Sequence, residues 1–165
     1  MTEAEFEAVY ERTARPLRAY LLRLGGNTTL ADDVLQDTYC RFLSMEPAKR
    51  QAAPERPLLY RIATNLMHDQ FRRLRRERRA PLEWPPPHVE GVGPDLPHDM
   101  ARVFAELKPQ QRSLLWLAYV EGWSHVDIAA GLGLRSRSIR VLLFRAKSAL
   151  AQRMRSRGLA PEVDR

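Results

Sequence analysis

The sequence predicts an all-α protein of two small helical domains joined by a Pro/Gly-rich linker, the second domain containing a helix-turn-helix. Three observations support this prediction. Apolar residues recur every three or four positions in both halves, no segment alternates polar and apolar residues as a strand would, and prolines and glycines cluster between the halves. We therefore place the first domain at 1–79, the linker at 80–97, the second domain at 98–157 and a tail at 158–165.

The charge and composition of the chain narrow the class of partner. Its 165 residues carry a formal net charge of +7, which favours a polyanionic partner, and the cations concentrate at 72–79 and 135–157. The single cysteine, Cys40, excludes an internal disulfide and suits a reducing compartment. No apolar run reaches the roughly 18–20 residues of a membrane span, and the acidic start is unlike a signal peptide. We expect a cytoplasmic protein without membrane insertion.

The first helix is expected between Thr2 and Leu24. Thr2 and Glu5 have the spacing of a capping box, in which each side chain bonds the backbone N–H of the other residue. One stripe of core positions follows: Phe6, Val9, Tyr10, Thr13, Leu17, Tyr20, Leu21 and Leu24. Pro16 lacks the N–H that continues a helix, so we expect a kink or a break into two helices there.

The second helix is expected from Thr29 to about Met45, and its two faces differ in character. Its core stripe is Leu30, Val34, Leu35, Thr38, Tyr39, Phe42 and Leu43. Its other face carries Asp32, Asp33, Gln36 and Asp37. Asp37 lies too far from the helix N-terminus for the helix dipole to account for its charge. An acidic face on a basic chain predicts docking to a basic protein surface, with a merely solvated face as the alternative.

A proline-bearing loop at 46–57 separates this helix from a third one, expected at Leu58–Arg79. The buried stripe of the third helix is Leu59, Ile62, Ala63 and Leu66. Its end, R-R-L-R-R-E-R-R at 72–79, predicts attraction to nucleic-acid phosphates, although cations are also stabilised at the C-terminus of any solvated helix. The next segment, 80–97, has no periodicity and is expected to be an extended tether, on which Trp84 has no assigned docking site.

The second half contains a helix-turn-helix pattern. Helical spacing resumes at His98, and Pro109 suits the first turn of a helix that ends at Glu121–Gly122. Ser124 and Asp127 then have the spacing of a capping box, and two glycines bracket the end of the short helix that follows. These glycines are Gly131 and Gly133, and Ser136 is expected to cap the second helix of the motif.

The second helix of this motif has one apolar and one basic face. The apolar positions are Ile139, Leu143, Ala146 and Leu150, and the basic ones are Arg137, Arg140, Arg145 and Lys147. A short helix, a tight turn and a basic second helix without acids are typical of a DNA-binding helix-turn-helix, whose second helix enters the major groove. The alternative is an ordinary helical hairpin with a solvated basic face.

Several segments in a consistent order carry a family resemblance. They are L-A-D-D-V-L-Q-D-T-Y-C-R-F at 30–42, L-L-Y-R-I-A-T-N-L-M-H-D-Q-F-R-R at 58–73, L-K-P-Q-Q-R-S-L-L-W-L-A-Y-V-E-G-W-S-H-V-D-I-A at 107–129 and F-R-A-K at 144–147. Together they resemble the bacterial extracytoplasmic-function class of sigma factors, the small promoter-specificity subunits of RNA polymerase. The resemblance covers nearly the whole chain.

The resemblance implies both a function and a set of contacts. The protein would bind core RNA polymerase, recognise the −35 and −10 elements of promoter DNA and favour promoter melting, without being an enzyme. The residues implied to dock on the coiled coil of the largest polymerase subunit are Asp32, Asp33, Gln36 and Asp37. Those implied at the −10 element are Asn65 and Asp69, and Arg72, Arg73 and Arg76 are added to this site because they would attract its phosphates. Those implied at the −35 element are Arg137, Ser138, Arg140, Val141, Phe144 and Arg145.

The chemistry of base edges agrees with the −35 assignment. Arg140 or Arg145 can bond the O6 and N7 atoms of guanine together, and Phe144 can pack on a thymine methyl group. The alternative for Phe144 is packing against a neighbouring helix. Val141 and Leu142 stand where polar or basic residues are common in the family, which affects the promoter sequence that is read rather than the class of protein.

Two other classes of protein fit the sequence less well. A stand-alone helix-turn-helix regulator with a ligand-sensing or dimerising first domain leaves the acidic face unexplained. A recombinase needs a strand-bearing catalytic domain, whereas 1–79 predicts only helices. The histidines are scattered without metal-ligand spacing, so we expect no metal, no cofactor and no catalytic residue. An anti-sigma factor is a further partner that the resemblance allows.

Overall fold

The computed structural model describes residues 1–78 and 98–159, and every regular element within them is helical. The helices of the first half are α1 (Glu3–Gly25), α2 (Thr28–Ser44), α3 (Pro47–Gln51) and α4 (Glu55–Arg78). Those of the second half are α5 (His98–Ala105), α6 (Pro109–Leu115), a π-helical segment (Trp116–Val120), α7 (His125–Leu132) and α8 (Ser136–Ser156). The all-α prediction is therefore confirmed, while the expected tether at 80–97 and its Trp84 lie outside the described residues.

The start of α1 follows the prediction, but its middle does not. The Glu5 N–H donates to the Thr2 hydroxyl at 3.2 Å and the Thr2 N–H donates to the Glu5 carboxylate at 2.6 Å, completing the capping box. The break expected at Pro16 does not occur, because α1 continues through it to Gly25. Thr13, Leu17 and Tyr20 are buried on either side of Pro16, so packing on both sides holds the segment as one helix.

Two helices begin at or near prolines that were predicted to lie in a loop. The segment 46–57 is not a plain loop, because it contains α3 and the first turn of α4. Pro47 is at the start of α3 and Pro57 is in the first turn of α4, where backbone N–H groups have no partner within the helix. The start of α2 also differs from the prediction, although no proline is involved. α2 begins at Thr28 rather than Thr29, and Asn27 is its N-cap, whose side chain accepts a hydrogen bond from the Leu30 N–H at 2.9 Å.

The helix-turn-helix is present, and it departs from the prediction at the caps of its two helices. The Asp127 N–H donates to the Ser124 hydroxyl at 3.1 Å, which is one half of the predicted capping box. The Asp127 carboxylate accepts from the Ser124 hydroxyl at 2.8 Å rather than from the Ser124 N–H, so the box is incomplete. Gly133 ends α7 in the left-handed conformation with φ of 65°. Gly131 and Gly133 bracket the last residue of α7, Leu132, as predicted, and a Cβ at Gly131 would come 2.8 Å from the Trp123 ring. Ser136 is the first residue of α8 and not its cap, because the cap position belongs to Arg135.

One hydrophobic core runs through both halves of the described chain. It joins Leu17, Tyr60 and Met67 of the first half to Leu117 and Ile128 of the second, with α4 lying against α7. A smaller cluster inside the second half contains Leu107, Leu115 and Ala146. The helix with the −10 candidates and the helix-turn-helix are thus held side by side. Within the two described ranges, no helix combines the length and the apolar character needed to cross a membrane.

Candidate nucleic-acid interface

The acidic face of α2 is exposed as predicted. Asp32, Asp33, Gln36 and Asp37 all face solvent, on the side of the helix away from its buried residues. Arg18 of α1 binds the Asp32 carboxylate with two hydrogen bonds, at 2.6 and 3.1 Å, which lowers the pKa of Asp32. Among the residues that the structure describes, Asp33 and Asp37 form no ion pair. Their charges therefore remain available to a partner.

An open groove of about 590 Å³ connects this acidic face to α4. Asp33, Gln36 and Asp37 line one side, and Arg73 and Leu74 line the other. Arg73 also pairs with Glu77 at 3.4 Å. The structure thus places Arg73, expected at the −10 DNA because of its charge, beside the residues expected to dock on the polymerase.

The remaining −10 candidates lie along the exposed side of α4. Asn65, Asp69, Arg72 and Arg76 are all exposed and follow one another at helical spacing. Arg72 binds the Asp69 carboxylate, and the Arg76 guanidinium donates to the Arg72 carbonyl at 3.4 Å. Exposed ion pairs stabilise a protein by only about 0–1 kcal/mol, so this pair can separate when a nucleic acid competes for either group.

The candidate recognition helix, α8, exposes its basic face. Arg137, Arg140, Val141, Phe144 and Arg145 are exposed, and Ser138 is half-buried. Phe144 is 71% exposed, so the alternative in which it packs against a neighbouring helix is wrong. Further along α8, the Lys147 ammonium lies 5.6 Å from the centre of the Tyr119 ring.

A polar seam between the two halves was missed by sequence reasoning. The side chain of Glu121 is only 8% exposed. It accepts a hydrogen bond from the Tyr60 hydroxyl at 3.1 Å and pairs with the Arg56 guanidinium, which also lies over the Trp123 ring. Burial, followed by the charge of Glu121, raises the pKa of Tyr60.

The same seam contains a second buried hydrogen-bonded cluster. The Tyr20 hydroxyl donates to the Ser113 hydroxyl at 2.8 Å and lies 2.7 Å from the hydroxyl of Thr64. Burial raises the pKa of Tyr20 to about 12. No sequence signal pointed to either cluster, because the residues that meet are far apart along the chain.

His68 and Arg112 are also placed near the contact between the halves. Burial lowers the pKa of His68, helped by the charges of Arg72 and Arg112, and its buried Nε2 has no hydrogen-bond partner in the described part of the chain. Arg112 is buried, which lowers its pKa to about 10. Within residues 1–78 and 98–159, no group of three or more metal-binding side chains occurs.

This chain matches family models of sigma-70 regions and is similar to known sigma factors. The models of sigma-70 region 2 and sigma-70 region 4 match residues 9–77 and 98–150, respectively. The chain is similar to the ECF RNA polymerase sigma factor SigL of Mycobacterium tuberculosis, with 28% identity over 94% of this chain and 92% of SigL. It is also similar to the ECF RNA polymerase sigma factor EcfG of Rhodopseudomonas palustris, with 30% identity over 82% of this chain and 77% of EcfG.

Solved structures share the fold. The sigma factor RpoE of Bartonella quintana, solved in complex with the anti-sigma factor NepR, superposes with a TM-score of 0.71. The two are 22% identical, and the match covers 98% of this chain and 99% of the other. CnrH, solved in complex with the cytosolic domain of CnrY, superposes with a TM-score of 0.65 at 24% identity, over 94% of this chain and 90% of CnrH.

Proposed function

This chain belongs to the extracytoplasmic-function class of sigma-70 family RNA polymerase sigma factors, and from that premise we propose how its residues direct promoter-specific transcription initiation. Sigma factors are DNA-recognition factors rather than catalysts, and we propose that this one acts in the cytoplasm without catalysis, metal or cofactor of its own. The observation that carries the residue assignments is the exposure of two oppositely charged faces, on α2 and α8.

The acidic face of α2 is assigned to core polymerase. Asp33 and Asp37 form no ion pair among the described residues, so a cationic partner need not displace an existing arginine to reach them. Asp32 and Gln36 extend the same surface. The partner proposed from the family resemblance is the coiled coil of the largest polymerase subunit.

The two DNA contacts are assigned to α4 and α8. On α4, Asn65 and Asp69 would contact −10 bases, while Arg72, Arg73 and Arg76 would attract phosphates. On α8, Arg140 and Arg145 would each bond a guanine edge. Arg137, Ser138, Val141 and Phe144 complete the −35 surface.

The two halves pack against each other, and this limits how far apart the DNA contacts on α4 and α8 can be. The −35 and −10 elements lie about 25 base pairs apart, roughly 85 Å at 3.4 Å per base pair. α4 and α8 both pack on the eight-residue helix α7, so they are too close to reach both elements together. We therefore propose that 1–79 and 98–157 separate on the polymerase, with 80–97 as the tether between them.

A protein regulator is a further proposed partner. The RpoE structure similar to this chain was solved with an anti-sigma factor bound. Such a regulator would compete with core polymerase for the acidic face of α2, or with DNA for the basic face of α8.

The test is assembly with bacterial core RNA polymerase. Reversing two charges, with Asp33→Lys and Asp37→Lys, should lower affinity for core polymerase at least about tenfold, since like charges brought together cost several kcal/mol. The matched control is Glu3→Lys with Glu7→Lys, two exposed acids one turn apart on α1. Normal assembly of the first double variant would contradict the docking assignment. Failure of the wild-type chain to bind core polymerase would favour the stand-alone regulator instead.

A further inference from the structure

The exposed face of α8 contains an apolar strip where a solvated helix would be polar. Val141 is 50% exposed and Phe144 is 71% exposed. At about 100° of rotation per residue, Val141 lies roughly opposite the buried stripe of Ile139, Leu143 and Ala146. Phe144 is a direct neighbour of Val141, because residues three apart share a helix face. Neither side chain contributes to the core of the second half.

The surroundings of this strip indicate what covers it. Arg137, Arg140 and Arg145 flank it and are exposed, and α8 contains no acidic residue. An apolar strip flanked by cations, on a helix without acids, fits a surface that is anionic at its edges and apolar in its middle. The major groove of DNA has this character wherever thymine is present, because the C5 methyl group of thymine is the apolar feature of a base edge.

Resting on the proposed −35 role of α8, we propose that Val141 and Phe144 contact the methyl groups of two thymines in adjacent base pairs. Residues three apart are separated by about 4.5 Å along a helix axis, close to the 3.4 Å between base pairs. Val141 has no hydrogen-bonding side-chain atom, so a polar base edge gains nothing from it. The strip therefore selects T·A pairs at two neighbouring positions of the −35 element.

The test uses holoenzyme assembled from the full chain and bacterial core polymerase. The −35 element is first obtained by selection from promoter duplexes with a randomised −35 region. Each thymine in it is then replaced by deoxyuridine, which removes the methyl group and keeps every hydrogen-bonding atom. Burial of one carbon contributes about 0.8 kcal/mol, so each of two adjacent positions should lose roughly three- to fourfold in affinity.

Variants assign the methyl contacts to residues. With Val141→Ala, the difference between thymine and uracil should disappear at one of the two positions, and with Phe144→Ala at the other. Val126→Ala removes an equally apolar side chain that is 67% exposed on α7, and it should leave both differences unchanged. Arg140→Ala should weaken the thymine and uracil duplexes by the same factor.

Failure of this inference is distinguishable from failure of the proposed function. Sequence-specific −35 binding that is indifferent to uracil at every thymine would overturn the methyl contacts and leave the −35 role intact. Methyl dependence that survives in both alanine variants, or a selected element without adjacent T·A pairs, would also overturn it. Selection that yields no −35 sequence at all would instead contradict the −35 role of α8.

Discussion

Glu121 is the acidic centre of the contact between the two halves, and its replacement by alanine tests how much that contact stabilises the protein. The substitution removes the acceptor of the Tyr60 hydroxyl hydrogen bond, which measures 3.1 Å in a buried setting. It also releases Arg56, whose side chain is 45% exposed and returns to water at little cost. The main cost therefore comes from Tyr60.

A buried hydroxyl without a partner costs about 1–3 kcal/mol, and a partly exposed ion pair adds about 0–1 kcal/mol. We expect Glu121→Ala to lower the free energy of unfolding by about 2–3 kcal/mol. Glu121→Gln keeps an acceptor for Tyr60 and removes only the charge, so it should cost about 1 kcal/mol or less.

The measurement is urea unfolding at neutral pH, followed by circular dichroism at 222 nm. A shift of this size corresponds to a fall in Tm of roughly 4–12 °C for a chain of this length. The matched control is Glu106→Ala, because Glu106 pairs with Arg153 and Arg157 inside the second half alone. A loss for Glu121→Ala no larger than that for Glu106→Ala would refute the stabilising role given to the contact between the halves. Equal losses for the alanine and glutamine variants would contradict the role given to the Tyr60 hydrogen bond.

Three further predictions follow from individual side chains. Gly131→Ala should cost about 1–3 kcal/mol in urea unfolding, because the new Cβ would lie 2.8 Å from the buried Trp123 ring. A Gly131→Ala variant as stable as the wild-type chain would contradict the predicted clash with Trp123. Between pH 10 and 12 the unfolded chain ionises Tyr20 while the folded chain keeps its proton, so the free energy of unfolding should fall as pH rises. Tyr20→Phe should flatten that slope in urea titrations over this range, and an unchanged slope would rule out Tyr20 as its source. Arg140→Ala should weaken −35 binding by about 1–3 kcal/mol in fluorescence anisotropy, and an equal loss on scrambled DNA would mean a phosphate contact instead.

The positions of the helices and of the exposed charged faces could be predicted from the sequence because both depend on neighbouring residues. The acids of α2 and the arginines of α8 follow from 3.6-residue periodicity, and the Thr2 and Ser124 caps follow from three-residue spacing. The wrong predictions of a break in α1 and of a loop at 46–57 both involved prolines. A proline in the first turn of a helix, such as Pro47, reads as a loop signal but is compatible with that position.

Tertiary structure alone decided how the two halves meet. Tyr60 binds Glu121 across 61 residues of sequence, and Tyr20 binds Ser113 across 93. Such pairs leave no periodic trace, because each side chain looks like an ordinary core or helix-end residue within its own segment. Tertiary structure also placed Arg73 across a groove from Asp33 and left Phe144 without a core contact. Local spacing determines which face of a helix is polar, whereas only the packing of one helix on another decides which of those polar groups become buried partners.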